Sequence, residues 1–170
     1  MKRSPIALTL LAVGDTKRPL YLFDTFEGMS APSEHDVRAE DNRPAAELLE
    51  RSTSSKIWCR ASIEDVSANM AMTGYPPENV TFCKGMVEDT LPAKAPDKIA
   101  ILRLDTDWYD STRHELNELF PRLAPGGVLI IDDYGYWAGA RKAVDEYFAD
   151  RPILLSRIDQ TGRIAIKLST

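Results

Sequence analysis

The hydrophobic pattern contains four apolar runs that have the length and composition of buried β-strands. They are Leu20–Phe23, Val80–Cys83, Ile99–Leu102 with an extension to Leu104, and Val128–Ile131, and each is closed by polar residues. Strands that are apolar at consecutive positions are typical of a sheet covered on both faces. The pattern therefore predicts a sheet buried between two layers of helices.

Segments with helical periodicity lie between these runs. One helix is expected after the capping-box pair Ser62 and Asp65, and Gly74 followed by Pro76 is expected to end it. The apolar positions at helical spacing are Ile63, Val66 and Met70 in this helix, and Ala140, Val144, Tyr147 and Phe148 in a later one.

A further helix is expected to begin at a cap on Ser111 or Thr112 and to end at Pro125–Gly127. Its apolar stripe consists of Leu116, Leu119, Phe120 and Leu123. Strands and helices thus alternate along the chain, which favours right-handed crossovers and a parallel sheet.

The C-terminal segment departs from this alternation. Ile153–Ile158 and Arg163–Leu168 are strand-like, and the turn residues between them, 159–162, leave no room for a parallel crossover. An antiparallel hairpin is therefore expected at the end of a mostly parallel sheet.

The stretch from Glu27 to Ala46 has no clear period. A loop of this length in a compact domain is often functional. The sequence leaves two interpretations of loop 27–46 open. It is either a mobile lid over a site or a loop on the surface without a role at the site.

Acidic residues follow the ends of the predicted parallel strands. They are Asp24, Glu88, Asp89, Asp105, Asp107, Asp132 and Asp133. Ligands of parallel sheets bind beyond the carboxyl ends of the strands, although aspartates there also cap helices and begin turns.

Three of these carboxylates, Asp105, Asp132 and Asp133, are expected to meet on adjacent strands. Two like charges about 4 Å apart repel by about 4 kcal/mol at an effective dielectric near 20. A shared proton or a cation must relieve this repulsion, and Mg²⁺ or a similar divalent ion suits a set of oxygen ligands.

Other reactive side chains form no recognisable constellation. His35 and His114 lack metal or triad spacing; His114 is expected at the surface, and His35 lies in the candidate lid. Cys59 and Cys83 are expected to be reduced structural thiols. Five aromatic residues lie beside the acidic strand ends: Trp108, Tyr109, Tyr134, Tyr136 and Trp137. They belong either to the core or to a site that suits a ring-shaped or sugar-like substrate.

Composition fits one globular domain over residues 1–170, since 44% of the residues are hydrophobic and 28% are charged. The net charge of -5 and the absence of a basic run argue against a nucleic-acid partner. The longest apolar run is too short for a membrane span, so no membrane partner and a cytoplasmic location are expected.

Three long motifs, in the same order, resemble the macrocin O-methyltransferase family. They are Leu20–Met29 (LYLFDTFEGM), Ile101–Tyr109 (ILRLDTDWY) with Ser111 and Thr112, and Leu123–Tyr134 (LAPGGVLIIDDY) with Ala143–Tyr147 (AVDEY). The resemblance runs from about residue 6 to the end. It implies a metal-dependent class I S-adenosylmethionine methyltransferase that acts on sugar hydroxyls of natural products, with an α/β, mostly parallel Rossmann-like sheet.

The resemblance also implies roles for individual residues. Asp24 would hydrogen-bond the ribose of the cofactor S-adenosylmethionine, and Gly85, Met86, Val87 and Glu88 would line its adenine. Asp105, Asp132 and Asp133 would bind Mg²⁺ or a similar cation. Asp105, or with less support Asp107, would be the general base for a glycoside or sugar hydroxyl. Related enzymes often self-associate, so a homo-oligomer is a further expectation.

The sequence departs from the family pattern at one place. The family begins with a strand and a glycine-rich turn, and no residues before Ile6 match them. The family order places that strand between those ending at Asp24 and Asp105, so an N-terminally truncated sheet is expected. Ile6–Val13 is then the helix after the turn, and a replacement strand is the alternative.

Two other functions remain open at the level of sequence. Asp105-Thr106-Asp107 is a DxD sequence of the type that holds a metal and a nucleotide-sugar in glycosyltransferases. A truncated, non-catalytic methyltransferase-like domain is the other alternative.

Overall fold

The structure, a computed structural model, describes residues 4–51 and 61–168. The expectation for Cys59 lies outside the described residues, whereas Cys83 is buried and not in a disulfide. Within the described residues, no helix is both long and apolar enough to cross a membrane.

Helices and strands alternate along the described chain. The helices are α1 (Pro5–Ala12), α2 (Ala45–Arg51), α3 (Ile63–Ala71), α4 (Val87–Thr90), α5 (Tyr109–Leu119) and α6 (Ala138–Tyr147). The strands are β1 (Leu20–Asp24), β2 (Val80–Lys84), β3 (Ile99–Leu104), β4 (Leu123–Ile131), β5 (Ser156–Arg157) and β6 (Arg163–Ile166). Short 3₁₀ turns at Pro77–Asn79 and Phe120–Arg122 precede β2 and β4.

The strands form two sheets. In one, β1 and β2 are parallel, with Leu20 opposite Val80. The other has the order β3-β4-β6-β5, in which β3 and β4 are parallel and β6 is antiparallel to β4 and β5. The mostly parallel α/β arrangement and the C-terminal hairpin are therefore confirmed, although the strands of the hairpin are shorter than their apolar patterns.

The main core lies between the larger sheet and helices α5 and α6. Leu116 and Val144 have no exposed surface and pack against Leu104, Leu129 and Ile131 of the sheet. A smaller core joins α1 to β1, β2 and α3 through Ala7, Leu10 and Met70. These cores fix the carboxyl ends of β1, β2 and β3 along one edge.

Helix α3 begins as predicted, since the Ser62 side chain accepts a hydrogen bond from the Asp65 backbone N–H at 3.1 Å. The predicted start of α5 at Ser111 or Thr112 is wrong. That helix begins at Tyr109, because the carboxylate of Asp36, from a distant loop, accepts the Tyr109 N–H at 2.8 Å.

The predicted end of α5 is also wrong. Strand β4 already begins at Leu123 and includes Pro125–Gly127. Leu123 pairs with Ile99 of β3, and the Gly126 N–H donates to the Lys167 carbonyl oxygen at 2.7 Å. Strand partners on both sides thus override the turn signal of the glycines.

Ile6–Val13 is helical and not a strand, since α1 covers most of it, with the Ser4 side chain at its N-cap. A cleft of about 710 Å³ separates β1 from β3, and α1 lies along it. Among the described residues, no strand pairs with the edge of β1 or of β3 that borders this cleft.

Candidate active site

The carboxyl ends of β1, β2 and β3 surround a cleft of about 110 Å³. The structure brings together here all five residues expected at the cofactor and the first of the expected metal ligands. The residues that line the cleft include Asp24, Gly85, Met86, Val87, Glu88, Asp105, Thr106, Asp107 and Ser111. The parallel sheet thus produces the predicted concentration of polar groups at its carboxyl edge.

Asp24 is held in a fixed orientation at the end of β1. Its Oδ1 accepts the Phe26 N–H at 2.6 Å, and its carbonyl oxygen accepts the Gly85 N–H at 3.0 Å. Gly85 has φ +137°, and a Cβ there would lie 2.9 Å from Thr90 Cγ2. The turn after β2 therefore requires glycine, and its backbone borders the cleft without a side chain.

Asp105, Asp132 and Asp133 form the predicted cluster, and one oxygen from each lies within 4.8 Å of the other two. Arg103 joins two of these residues across neighbouring strands. Its Nη1 lies 2.8 Å from Asp105 Oδ2, and its Nη2 lies 3.0 Å from Asp132 Oδ2. Sequence reasoning missed Arg103, although its position two residues before Asp105 puts both side chains on the same face of β3.

The close carboxylates change one another's protonation. Burial raises the pKa of Asp105 to about 7, hydrogen bonding with Asp132 adds to the rise, and Arg103 opposes it. Burial and the neighbouring Asp107 raise the pKa of Asp133 to about 8. The cluster therefore holds protons readily in the absence of a cation, as expected for like charges that compete for one site.

Asp107 has a different environment from the cluster. It lies at φ +67°, and its Oδ1 accepts the Trp137 Nε1–H at 3.1 Å. Burial raises its pKa to about 6, against opposing hydrogen bonds from Asp133 and Trp137. Asp107 is not a member of the three-carboxylate cluster, although its carboxyl group hydrogen-bonds that of Asp133.

Two glutamates accept hydrogen bonds from hydroxyl groups that line the cleft. Glu88, which also lines it, was predicted at the cofactor, whereas Glu115 was absent from the sequence-based site. Glu115 is 5% exposed and accepts the Thr106 hydroxyl at 2.9 Å. Glu88 Oε1 accepts the Ser111 hydroxyl at 2.9 Å, and its buried Oε2 has no hydrogen-bond partner among the described residues. Glu115 lies on the buried side of α5 with Leu116 and Leu119. A charged residue among the apolar positions of a helix was the sequence signal that could have identified it.

The loop between β1 and α2 is attached to the site by buried polar contacts. Asp36 is 1% exposed and accepts the backbone N–H groups of Ser33 and Tyr109 at 2.7 and 2.8 Å. Trp108 Nε1–H donates to the Ser30 carbonyl oxygen at 2.9 Å. These contacts anchor the middle of the loop, and its movement as a lid stays a prediction.

The aromatic residues divide into core and rim. Trp108, Tyr109 and Trp137 are buried, whereas Tyr136 is 42% exposed. The ring of His35 packs edge-on against Tyr109, at 4.6 Å between centroids. His114 was expected at the surface, but its Nε2 atom is buried, so the expectation is wrong for the end of the ring. This atom has no hydrogen-bond partner among the described residues.

A family model described as Macrocin-O-methyltransferase (TylF) matches residues 6–165. The chain is 37% identical over 155 residues to the 8-demethyl-8-(2,3-dimethoxy-alpha-L-rhamnosyl)-tetracenomycin-C 4'-O-methyltransferase of Streptomyces olivaceus, covering 90% of this chain and 56% of the relative. It is 36% identical over 147 residues to the demethyldecarbamoylnovobiocin O-methyltransferase of Streptomyces niveus, covering 85% of this chain and 53% of the relative. The chain thus spans about half the length of these curated relatives.

Solved structures show the same fold. The O-methyltransferase NovP matches with a TM-score of 0.78 and 30% identity, over 96% of this chain and 66% of that one. The O-methyltransferase TomG from Streptomyces achromogenes, solved in complex with SAM, matches with a TM-score of 0.54 and 15% identity, over 99% of this chain and 82% of that one. The second likeness concerns the fold alone.

Proposed function

The chain belongs to the macrocin-O-methyltransferase family, and from that membership we propose that it serves S-adenosylmethionine-dependent methylation of a sugar hydroxyl on a glycosylated natural product. The observation that supports this most strongly is the cluster of Asp105, Asp132 and Asp133 next to the cleft that contains Asp24 and Gly85. A methyl donor and an acceptor must meet within van der Waals distance, and here Asp105, one of the expected metal ligands, lines the same cleft as the residues expected at the cofactor.

The donor would bind at the ends of β1 and β2. The orientation of Asp24 leaves Oδ2 available for ribose hydroxyls, since Oδ1 holds the turn. The turn from Gly85 to Glu88 borders the same cleft and would contact the adenine. S-adenosylmethionine supplies an electrophilic methyl group, so the protein's own task is to place the acceptor oxygen in line with it.

The three carboxylates fit a divalent cation such as Mg²⁺. They offer three oxygen ligands within 4.8 Å of one another, and a single arginine offsets only part of their charge. A cation there lowers the pKa of a bound hydroxyl and stabilises the developing alkoxide. Asp105, Asp132 and Asp133 would hold the cation, and Arg103 would keep Oδ2 of Asp105 and Oδ2 of Asp132 in place.

Asp105 is the proposed general base. Its Oδ2 is held by Arg103, so Oδ1 would take the acceptor proton as the oxygen attacks the methyl carbon and the carbon–sulfur bond breaks. Asp107 is the weaker candidate, because its carboxylate already accepts a hydrogen bond from Trp137.

Calorimetry tests the proposal at the level of binding. The protein is titrated with S-adenosylmethionine and, separately, with a nucleotide-sugar, each in the presence of Mg²⁺. Binding of the first alone supports the methyltransferase function, and binding of the nucleotide-sugar alone would support a glycosyltransferase. Binding of neither would favour a non-catalytic domain.

A turnover assay then tests the residue roles. Transfer of a labelled methyl group to demethyldecarbamoylnovobiocin, the acceptor in the name of one relative, is measured with Mg²⁺. Asp105→Asn should abolish transfer, while Asp107→Asn should retain part of it. The matched control is Asp110→Asn, at an exposed position in the first turn of α5. Full activity of Asp105→Asn would refute its assignment as base.

A further inference from the structure

The chain leaves β3 through a strained three-residue turn at the edge of the candidate active site. The Trp108 N–H donates to the Thr106 carbonyl oxygen at 2.8 Å, and Asp107 between them has φ +67°. This combination is a γ-turn of the rare kind with positive φ, which costs free energy for a residue that carries a side chain. The surrounding structure must therefore hold the turn in place.

The turn directs the carboxyl groups of Asp105 and Asp107 to different partners. Asp105 Oδ2 lies 2.8 Å from Arg103 Nη1 in the carboxylate cluster, whereas Asp107 Oδ1 accepts the Trp137 indole N–H at 3.1 Å. Thr106 lies between the two aspartates in the chain. A rotation of the backbone at Thr106 would therefore displace both carboxyl groups.

Thr106 is attached to the main core through its side chain. Its hydroxyl donates to Glu115 Oε2 at 2.9 Å, and Glu115 is buried on α5. The next residue of that helix, Leu116, has no exposed surface and packs in the main core. The turn is thus held by a side chain whose own position is fixed by packing, which is the support that a precise site needs.

A carboxyl group at the position of Glu115 is costly for the stability of the fold. Burial raises its pKa to about 8, so the group is kept as a neutral acid at neutral pH. An unbranched apolar side chain of similar length would be buried there without this cost. Residues that break the rules of core packing are concentrated at functional sites, so the cost indicates a role beyond filling the core.

We propose that Glu115 is a positioning residue: by holding the Thr106 hydroxyl, it fixes the turn from which the carboxyl groups of Asp105 and Asp107 project. The proposal rests on the proposed function, since it assumes that Asp105 serves the cation and the acceptor hydroxyl. Displacement of a reacting group by about 1 Å can lower a rate by about a hundredfold. Release of the turn should therefore lower kcat and leave the binding of S-adenosylmethionine at Asp24 and Gly85 intact.

Four variants separate the hydrogen bond from its effect on stability. Thr106→Val removes the hydroxyl and keeps the shape, Glu115→Met removes the carboxyl group, and the double variant removes both. Glu115→Gln keeps an oxygen that accepts the hydroxyl. Each single loss leaves a buried polar group without its partner, whereas the double variant removes the pair. The melting temperature should fall by about 2 °C or more in Thr106→Val and in Glu115→Met, and it should recover in the double variant.

Methyl transfer and Mg²⁺ binding should not follow the melting temperature. In Thr106→Val, Glu115→Met and the double variant, kcat should fall by about tenfold or more, while KM for S-adenosylmethionine changes less than about twofold. Calorimetry should show weaker Mg²⁺ binding in the same three variants, and Glu115→Gln should keep most of kcat. The control for lost stability is Thr73→Val, which removes a hydroxyl that donates to the Met70 carbonyl oxygen at 2.6 Å, outside the cleft, and should keep kcat.

The indole N–H of Trp137 reports the position of the turn without any ligand, because it donates to Asp107 Oδ1. Its ¹H chemical shift in the ¹⁵N-labelled full chain should move upfield in the double variant, as the hydrogen bond lengthens. The signal should stay at its wild-type position in Glu115→Gln and in Thr73→Val.

Two results would overturn the proposal. One is a double variant that regains kcat and the wild-type Trp137 signal together with its stability, which would show that the pair only fills the core. The other is an equal loss of kcat in Glu115→Gln and Glu115→Met, which would show that the hydrogen bond to Thr106 is not what matters. If the wild type itself transfers no methyl group, the proposed function fails, and the Trp137 signal alone decides this proposal: a shift in the double variant supports it and an unchanged signal refutes it.

Discussion

Glu115 should make the folded protein less stable as the pH rises. Burial raises the pKa of this carboxyl from 4.5 to about 8, the Thr106 hydroxyl opposes the rise, and the charges of Glu88 and Asp105 add to it. In the unfolded chain the group ionises near its ordinary value, while in the folded protein it stays protonated up to about pH 8. Stability is therefore lost progressively between these two pKa values.

The size of the effect follows from the shift. Each pH unit in that window costs about 1.4 kcal/mol, so the whole window costs at most about 5 kcal/mol. Glu115→Gln keeps an oxygen acceptor for the Thr106 hydroxyl and removes the titration. The variant should match the wild type near pH 4 and exceed its free energy of unfolding by several kcal/mol near pH 8.

Urea denaturation followed by circular dichroism, repeated at intervals from about pH 4 to about pH 8, measures this difference. Asp105, Asp107 and Asp133 contribute to the slope of both proteins and cancel in the comparison. Glu118→Gln, on the same helix and more exposed, is the matched control and should run parallel to the wild type. A constant offset between Glu115→Gln and the wild type at every pH would refute the reasoning.

Three further substitutions test other parts of the structure. Asp24→Asn keeps the oxygen that accepts the Phe26 N–H and removes the charge. It should weaken S-adenosylmethionine binding by about tenfold in calorimetry without changing the melting temperature. Unchanged affinity would contradict the ribose contact. Arg103→Gln leaves the carboxylates of Asp105 and Asp132 without their partner. Because both carboxylates are partly exposed, the loss should cost about 1 kcal/mol of stability. Mg²⁺ should raise the melting temperature of this variant more than that of the wild type. An equal response to Mg²⁺ would argue against a cation at this cluster. Gly139→Ala places a Cβ inside van der Waals contact of Asp36 Oδ1 and should cost about 2–3 kcal/mol in urea denaturation. An alanine variant as stable as the wild type would show that this contact is looser.

The sequence predicted the strands and the acidic edge because both depend on local signals. An apolar run such as Ile99–Leu104 forms a strand in almost any context that covers it. Once the strands are parallel, Asp24 and Asp105 must lie at the same edge. The cluster of carboxylates follows from connectivity and needs no knowledge of side-chain packing.

The parts that could not be predicted depend on distant partners. Helix α5 begins at Tyr109 because Asp36, far away in sequence, caps it. Strand β4 continues through Gly126 because Lys167 accepts its N–H. Arg103 looked like an ordinary polar residue in a strand, and only the register between β3 and β4 shows that it bridges two aspartates.

The anchored loop also bears on how proteins with this fold can diversify in sequence. Its backbone is held at a few points, where Ser30 accepts from Trp108, Asp36 caps α5, and Ala39 donates to Tyr136 at 2.8 Å. Between these attachments, the side chains of Ala31 and Glu34 are exposed. Exchange of those side chains, by drift or by directed evolution, would alter the loop surface while the attachment points pass unchanged from one variant to the next.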